Sequence, residues 1–471
     1  MMPLSYLDRG IHNIYEEKKC IFYFLKHSKI KLKGKRSVMS GSLIISAILM
    51  VVMLFMGVPV AVSLGMGGIL GCYLFFGSSA LTIAAQIMGS SLESFILLAI
   101  PLFITMGVVL AKSQVGEKLY NLFDAYLRHI PGGVGVATLL TCAVLAAMCG
   151  TSVAIAAMVG AFAFTNLKKF GYSLPLSMGI IAGGGALGIL IPPSVPMIIY
   201  SSFSEESTGK LFIAGIIPGL IAVALFSIYT VIAYRRDKKR IKSKKATWRE
   251  RIKATKEGIW GLLVPLGIIV PLYAGWATPT ETAALGILFA LIVGLFIYKE
   301  ITFKDILPIL EEGVLSSVMV LFIICGAMVF GNAATQIGLS EIISSFAVSS
   351  LTPIIFIIIT MIILFIMGMF LEGASIMLIV LPIFLPALIG LQIDLIWYAV
   401  ILVIGIEIGL LTPPVGLNIY AVDGIAKSLG FPSNLMIAIK GTVPFMLLYL
   451  LTQILVLFFS KLALWLPSMM R

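Results

Sequence analysis

Apolar runs near 20 residues long recur along almost the whole chain, separated by short polar stretches. The first series occupies 42–57, 58–77, 80–111, 132–165, 176–203 and 211–233, and the second occupies 259–277, 280–298, 303–336, 352–390, 395–426 and 438–460. A helix of about 20 apolar residues crosses a hydrocarbon core roughly 30 Å thick. The pattern therefore predicts an all-α polytopic membrane protein with about ten crossings and some shorter re-entrant pieces.

Six segments, a basic linker and six further segments indicate an internal repeat. Three motifs recur at offsets of 219 to 221 residues: Gly57-Val58-Pro59 at 277–279, Leu102-Phe103-Ile104 at 321–323, and Gly188 to Pro193 at 409–414. The predicted units are a first repeat at 39–233, a linker at 234–258 and a second repeat at 259–471. Interrupted segments at matching positions of two halves are typical of secondary transporters and indicate a central binding site.

The third segment of each half, at 80–111 and at 303–336, carries polar residues near its middle. One continuous helix of this length would extend about 48 Å, which is longer than a bilayer requires. The pattern favours a re-entrant hairpin in each half, and a long tilted helix with a polar kink is the alternative. Hairpins that cross nothing leave about five crossings per half, an odd number, so the second half is predicted to be inverted.

Composition excludes a soluble enzyme, a fibrous protein and a disulfide scaffold, because 60% of the residues are hydrophobic, 11% are charged and the mean hydropathy is +1.11. The net charge of +12 comes from two stretches, 1–38 and 234–257, which hold 9 and 12 Lys and Arg against 3 acidic residues each. Lys and Arg are enriched in cytoplasmic loops, so the linker is predicted to be cytoplasmic. A nucleic-acid partner is not expected, because stacking aromatics and a recognition motif are absent from both stretches.

The basic stretch 1–38 conflicts with this topology, since five crossings on either side of a cytoplasmic linker place both termini on the periplasmic side. It holds no apolar run of 18 residues that would add a compensating span. Two explanations remain: Met39 is the natural start, which we favour, or 1–38 is an extension that lies along a membrane surface.

Two Pro-Pro pairs, Pro192-Pro193 and Pro413-Pro414, interrupt apolar segments. Proline removes a backbone donor and clashes with the preceding turn, so each pair leaves carbonyl groups without helical partners. These carbonyls, with the hydroxyls of Ser194 and Thr412, predict a hard-oxygen site suited to Na⁺. The half-helix after each pair directs its positive N-terminal end at the same point and favours an anionic group. A simple proline kink is the alternative.

Two further polar breaks, at 149–152 and at 372–375, interrupt the segments that precede the Pro-Pro segments. Their small residues suit close helix packing, which is the structural alternative. Glu372 is different, because a carboxylate at mid-membrane costs about 3 kcal/mol or more and is by default functional. It could pair with a cation, bind a proton or lie nearer the interface, and Glu407 and Glu281 raise the same question more weakly.

The motifs of a membrane protease, a prenyl transferase and an ATP-driven pump are absent from the sequence, so no enzymatic activity is expected. Neither an organic cofactor nor a transition metal is expected.

Four motifs resemble the large membrane subunit of tripartite ATP-independent periplasmic (TRAP) transporters: Ala99 to Ile104, Gly185 to Ser194, Thr278 to Gly286, and Gly409 to Asn418. The resemblance runs from about Met39 to Trp465. It implies an elevator-type member of the ion-transporter superfamily in the bacterial inner membrane. It also implies Na⁺-coupled import of an organic anion, such as a C4-dicarboxylate, sialic acid or another carboxylate. The implied partners are a separate small four-helix membrane subunit and a periplasmic binding protein that delivers the substrate.

The resemblance also implies site residues. For a first Na⁺ site they are Ser91, Ser94, Gly150, Thr151, Ser152, Val153 and Pro192. For a second Na⁺ site they are Ser316, Ser317, Gly373, Ser375 and Thr412. For the substrate, between the two hairpin tips, they are Ser90, Ser194, Thr412 and Asn418.

One alternative is a stand-alone Na⁺/dicarboxylate symporter of related architecture, although such proteins usually carry Ser-Asn-Thr at both hairpin tips and this chain does not. The alternative from another class is a non-transporting membrane scaffold or a channel. A scaffold has no need of polar breaks at mid-membrane depth, so the transporter interpretation is favoured. A membrane enzyme is the weakest alternative.

Overall fold

The computed structural model describes residues 45–54, 56–237, 241 and 244–470, and every structural statement below concerns these residues. The predicted N-terminal extension, 1–38, lies outside them. The described chain consists of α-helices joined by short turns and single turns of other helix types. The predicted all-α fold is therefore confirmed.

The helices of the first half are α1 (Ile45–Leu54), α2 (Val60–Phe76), α3 (Ala80–Leu92), α4 (Ala99–Lys112), α5 (Val115–Leu127), α6 (Gly133–Cys149), α7 (Ser152–Lys169), α8 (Leu174–Gly185), α9 (Val195–Ser204) and α10 (Thr208–Arg236). The helices of the second half are α11 (Trp248–Tyr273), α12 (Pro279–Ile292), α13 (Ile306–Gln336), α14 (Leu339–Ser350), α15 (Pro353–Gly368), α16 (Gly373–Gly390), α17 (Leu395–Leu410), α18 (Leu417–Ser428), α19 (Leu435–Phe458) and α20 (Lys461–Leu464).

Within the described residues, seven helical stretches are long and apolar enough to cross a membrane. The number is eight if α4 and α5, which meet at 64°, form one broken span. Six further apolar helices have 10 to 17 residues and fall short of a full crossing on their own, as α8 and α9 do because a break divides them. The count is therefore lower than the ten crossings expected from the sequence, and the chain is a multi-pass membrane protein.

Helices α6 to α9 correspond in order to α15 to α18, with starting residues 220 to 222 positions apart. The packing is reciprocal: α7 packs on α18 and α16 packs on α9, while α2 packs on α13 and α12 packs on α4. Each half thus completes the helix packing of the other. The division into repeats at the linker, and the inversion of the second repeat, stay predictions.

The re-entrant hairpin predicted at 303–336 is wrong, because Ile306–Gln336 form one uninterrupted helix, α13. The hydroxyl of Ser317 donates to the Gly313 carbonyl oxygen at 2.6 Å, one turn back, so this polar residue needs no break. In the first half α3 ends at Leu92 and α4 begins at Ala99, and α3 packs on α2 and α13. The helix breaks that approach the broken helices lie instead between α6 and α7 and between α15 and α16.

Part of the predicted linker is helical, because α11 already begins at Trp248. The Thr247 hydroxyl accepts from the Glu250 amide at 3.3 Å, and the Glu250 carboxylate accepts from the Thr247 amide at 2.8 Å. The hydrogen bond from the Thr247 backbone is the main reason that the pKa of Glu250 lies below its ordinary value. Glu250 also forms an ion pair with Arg128 at 2.7 Å, which joins the start of α11 to the end of α5.

Helices α8 and α19 cross at a contact between two glycines. A Cβ atom at Gly441 would lie 1.9 Å from the Pro175 carbonyl oxygen, and one at Gly179 would lie 2.1 Å from the Gly441 carbonyl oxygen. Nearby, Tyr449 on α19 donates to the Ala186 carbonyl oxygen at 2.8 Å. The absence of side chains lets the two backbones touch, as is common between membrane helices.

Gly441→Ala is expected to lower the thermal unfolding midpoint of the purified protein, with a loss of about 2 kcal/mol, because its methyl group overlaps backbone atoms that have no room to move. The matched control is Gly424→Ala on α18, where a Cβ would meet nothing within 4 Å. The control is expected to stay within about 0.5 kcal/mol of the parent. Equal midpoints for the two variants would contradict this crossing.

Candidate functional site

Each half of the chain contains the same contact between two helix breaks. In the first half the Val195 amide donates to the Gly150 carbonyl oxygen at 3.4 Å, and in the second half the Gly416 amide donates to the Met369 carbonyl oxygen at 3.1 Å. Both Pro-Pro bonds are cis. The break after α6 therefore touches the break between α8 and α9, and the break after α15 touches the break between α17 and α18.

The two pairs of breaks also meet each other. A Cβ at Gly373, the first residue of α16, would lie 3.4 Å from Ile189 and 3.6 Å from Pro196 in the first half. The Ser152 side chain, at the start of α7, hydrogen-bonds with Glu407 of the second half. We call these four contiguous breaks, 149–152, 190–195, 369–373 and 411–416, the break cluster.

Local sequence explains why the helices stop here. Gly150 and Gly416 have φ angles of 69° and 58°, in the left-handed region that glycine adopts at little cost. The Pro-Pro pairs interrupt the backbone hydrogen bonding of the other two helices. The structure thus has helix breaks at all four positions that the sequence indicates.

Four helices, α7, α9, α16 and α18, begin in the break cluster. Ser194 caps α9 by accepting from the Met197 amide at 3.4 Å, and Glu372 caps α16 by accepting from the Ala374 amide at 3.4 Å. Glu372 thus has a structural role as a helix cap. Helices α7 and α18 begin without a hydrogen bond from a capping side chain. The N-terminal ends carry partial positive charge and amide donors, so the cluster favours an anionic group.

Ten of the residues predicted for the site lie in the break cluster or within one turn of it. They are Gly150, Thr151, Ser152, Val153, Pro192, Ser194, Gly373, Ser375, Thr412 and Asn418. The Thr412 hydroxyl donates to the Ile408 carbonyl oxygen at 2.6 Å. The Ser375 hydroxyl and the Asn418 amide oxygen are buried without a hydrogen-bond partner.

The other five predicted residues are serines that the structure places outside the break cluster. Ser90 and Ser91 lie on α3 and donate to the Ile87 carbonyl oxygen of their own helix at 3.1 and 2.6 Å. Ser94 lies in the turn before α4, and Ser316 and Ser317 lie on α13. Their assignment as ligands of Na⁺ or substrate stays a prediction, and the geometry of the cluster does not use them.

Glu407 is the polar residue of the cluster that the predicted site left out. It lies on α17 and is fully buried, and its second carboxylate oxygen, Oε2, is 3.5 Å from the Asn418 amide nitrogen. The sequence shows a carboxylate inside an apolar run, but nothing in the run itself indicates which residues surround it.

The oxygen donors of the cluster suit an alkali cation. Among the described residues, no three or more His, Cys, Asp and Glu side chains come together as they do in a transition-metal site. The cluster instead offers carbonyl oxygens, hydroxyls, one amide oxygen and one carboxylate, which are hard ligands. These residues fit Na⁺, whose ligands in transporters are commonly unwound backbone carbonyls.

Apolar spans, two halves of matching helix order, and broken helices gathered where the halves meet together define a secondary membrane transporter. The sequence profile of the family described as "Tripartite ATP-independent periplasmic transporter, DctM component" matches residues 47–462. The chain therefore belongs to this family, as a permease subunit rather than an enzyme, and the predicted resemblance is confirmed.

Characterised relatives carry the same family name. The chain is 35% identical to the C4-dicarboxylate TRAP transporter large permease protein of Pseudomonas aeruginosa, covering 86% of this chain and 94% of that protein. It is 30% identical to the sialic acid TRAP transporter permease protein of Haemophilus influenzae, covering 92% of this chain and 69% of that protein. The crystal structure of the YdaH transporter of Alcanivorax borkumensis superimposes with a TM-score of 0.60 over 82% of this chain and 89% of that one, at 13% identity, and so shares the fold alone.

Ser194→Ala tests whether the cap on α9 is structural. Loss of the acceptor for the Met197 amide is expected to cost about 1 kcal/mol and to lower the thermal unfolding midpoint. The control, Ser202→Ala on the same helix, removes a hydroxyl that only donates to the Ile199 carbonyl oxygen, and is expected to change the midpoint little. A midpoint for Ser194→Ala equal to that of the control would show that the Ser194 hydroxyl does not stabilise the helix.

Proposed function

We propose that this chain is the large permease of a Na⁺-coupled importer of an organic anion in the bacterial inner membrane. The observation that carries the proposal is the meeting of four helix N-termini and uncharged oxygen donors in the break cluster. Positive helix ends attract the anion, while oxygen donors bind the cation. The names of the two relatives, which include a C4-dicarboxylate and sialic acid, support an acid as the substrate.

The charge balance explains why the two ligands would bind together. The described residues of the break cluster include neither Lys nor Arg, so an anion would be held by helix ends and hydroxyls alone. Each helix end contributes about half a unit charge, which neutralises a carboxylate only in part. Na⁺ bound beside the anion supplies the remaining charge, and this makes each ligand raise the affinity for the other.

The proposal includes an elevator motion of the two broken-helix groups, α6 to α9 and α15 to α18, against the rest of the chain. Support comes from their reciprocal packing, since α7 lies on α18 and α9 lies on α16. These contacts tie the two groups into one unit that can carry the break cluster as it moves. The α2–α13 and α4–α12 pairs would form the frame.

The proposal includes two partners, a small four-helix membrane subunit and a periplasmic binding protein that delivers the substrate. The family description, which is tripartite, supports them. The stand-alone symporter remains the second candidate, supported by a fold shared with a transporter that is not described as tripartite.

Reconstitution tests the function directly. Proteoliposomes holding this chain with its small subunit are expected to accumulate a labelled C4-dicarboxylate or sialic acid when the binding protein and an inward Na⁺ gradient are present. Replacing the Na⁺ gradient by K⁺ is expected to lower the initial rate at least tenfold, because the gradient drives accumulation. Uptake by this chain alone would replace the tripartite proposal by the symporter, and uptake indifferent to Na⁺ would overturn the coupling.

Ser375→Ala tests the ligand set. The Ser375 hydroxyl is buried without a partner, so its removal is expected to leave the fold intact. Loss of one Na⁺ ligand is expected to raise the Na⁺ concentration for half-maximal uptake about tenfold, which corresponds to about 1.4 kcal/mol. The control is Ser345→Ala, an exposed serine that donates to the Ile342 carbonyl oxygen of its own helix. If the two variants require the same Na⁺ concentration, Ser375 is not a ligand.

A further inference from the structure

Glu407 and Asn418 face each other across the second Pro-Pro break. Glu407 lies near the end of α17 and Asn418 near the start of α18, and both side chains are fully buried. The Asn418 amide nitrogen is 3.5 Å from Glu407 Oε2, which is at the outer limit of a hydrogen bond. The remaining oxygens, Glu407 Oε1 and Asn418 Oδ1, are buried without a hydrogen-bond partner.

The surroundings of Glu407 supply no positive charge. The Ser152 hydroxyl approaches from the start of α7 and the Tyr449 ring from α19. The Tyr449 hydroxyl donates instead to the Ala186 carbonyl oxygen at 2.8 Å. The ion pairs among the described residues involve other carboxylates. Two acceptor atoms and a carboxylate group are therefore buried together with too few donors.

Such a group is costly unless something positive binds it. An unpartnered buried acceptor costs about 1–3 kcal/mol, and an uncompensated buried charge costs more. A carboxylate within a membrane-spanning segment is for this reason a functional candidate whose counter-charge has to be identified.

The internal repeat shows that the fold itself does not require this polar pair. At the offset of 221 residues that aligns the two Pro-Pro motifs, Glu407 corresponds to Ala186 and Asn418 corresponds to Met197. The first half builds the same broken helix, α8 and α9, with apolar side chains at both positions. The carboxylate and the amide are thus an addition to the second half.

We propose that Glu407 and Asn418 bind a Na⁺ ion through Oε1 and Oδ1, with the Ser152 hydroxyl beside it. Carboxylate, amide and hydroxyl oxygens are all ligands that hard cations accept. This site is additional to the Na⁺ sites predicted from the family resemblance, and it assigns Asn418 to an ion rather than to the substrate. The ion would join the start of α7 in the first half to α17 and α18 in the second. The inference takes Na⁺ as the ion from the proposed function, but binding can be measured without transport.

Glu407→Gln in the purified protein is the first test. Glutamine keeps the shape of the side chain and supplies an amide donor for Asn418 Oδ1, so the variant is expected to fold. It is expected to bind one fewer radioactive sodium ion per chain at saturation and to show a smaller sodium-induced rise in the thermal unfolding midpoint. The control is Glu341→Gln, which removes an exposed carboxylate from the first turn of α14 and is expected to bind as many ions as the parent. An unchanged ion count in Glu407→Gln would overturn the proposal.

A double variant, Glu407→Ala with Asn418→Met, installs the residues of the first half and guards against an effect peculiar to glutamine. It is also expected to lose one ion, and retention of the parental count would likewise overturn the site. If the parent in sodium-free buffer is stabilised on lowering the pH from about 8 to about 6, Glu407→Gln is not, and their sodium counts are equal, the ligand is a proton and the Na⁺ assignment is wrong.

The two proposals fail in distinguishable ways. Sodium-independent uptake with one ion fewer in Glu407→Gln would refute the coupling and leave the site standing. Sodium-driven uptake with equal ion counts would refute the site and leave the function standing.

Discussion

The structure depends on one constraint, that a helix interrupted at membrane depth has to satisfy its free backbone groups within the protein. This chain meets part of the constraint by pairing breaks. The Val195 amide bonds to the Gly150 carbonyl, and the Gly416 amide bonds to the Met369 carbonyl. Each break thus supplies what the neighbouring one lacks. The same contact in both halves brings four helix ends to one place without help from lipid or water.

What this pairing leaves over is the chemistry of the site. Only some donors and acceptors of the breaks find partners in each other, and the remaining amide groups and oxygens point into the region where the halves meet. Ser194 and Glu372 use two of the surplus donors as helix caps. The Ser375 hydroxyl and the Asn418 amide oxygen stay without partners. Structural economy and ligand binding therefore compete for the same few atoms, and the unpartnered ones are the natural ligands.

The sequence predicted the helices and the breaks because both have local causes. Long apolar runs are sufficient to indicate membrane helices, and the Pro-Pro pairs are sufficient to indicate that two of them are interrupted. The same reasoning failed for α13, where polar residues were taken to mark a hairpin. Ser317 bonds to its own helix and Glu312 pairs with Lys112 at 3.1 Å on the surface, so the polar residues interrupt nothing.

Contacts between distant segments lay beyond the sequence. Gly150 and Val195 are 45 positions apart, and no pattern in either segment specifies the other. The same holds for Glu407, whose neighbour Ser152 comes from the opposite half. A carboxylate in an apolar run could be recognised as unusual, but its partners depend on how the two halves pack.

The reciprocal packing of the halves has a consequence for how the protein is made. The face of α7 is covered by α18 and that of α9 by α16, which are synthesised some 220 residues later. At about 5–20 residues per second, the first half therefore waits roughly 10–45 s in the membrane before its own broken helices are covered. During that interval its polar breaks have no partner from the second half. Biogenesis, and not only transport, thus depends on an agent that shelters these breaks, such as the insertion machinery itself.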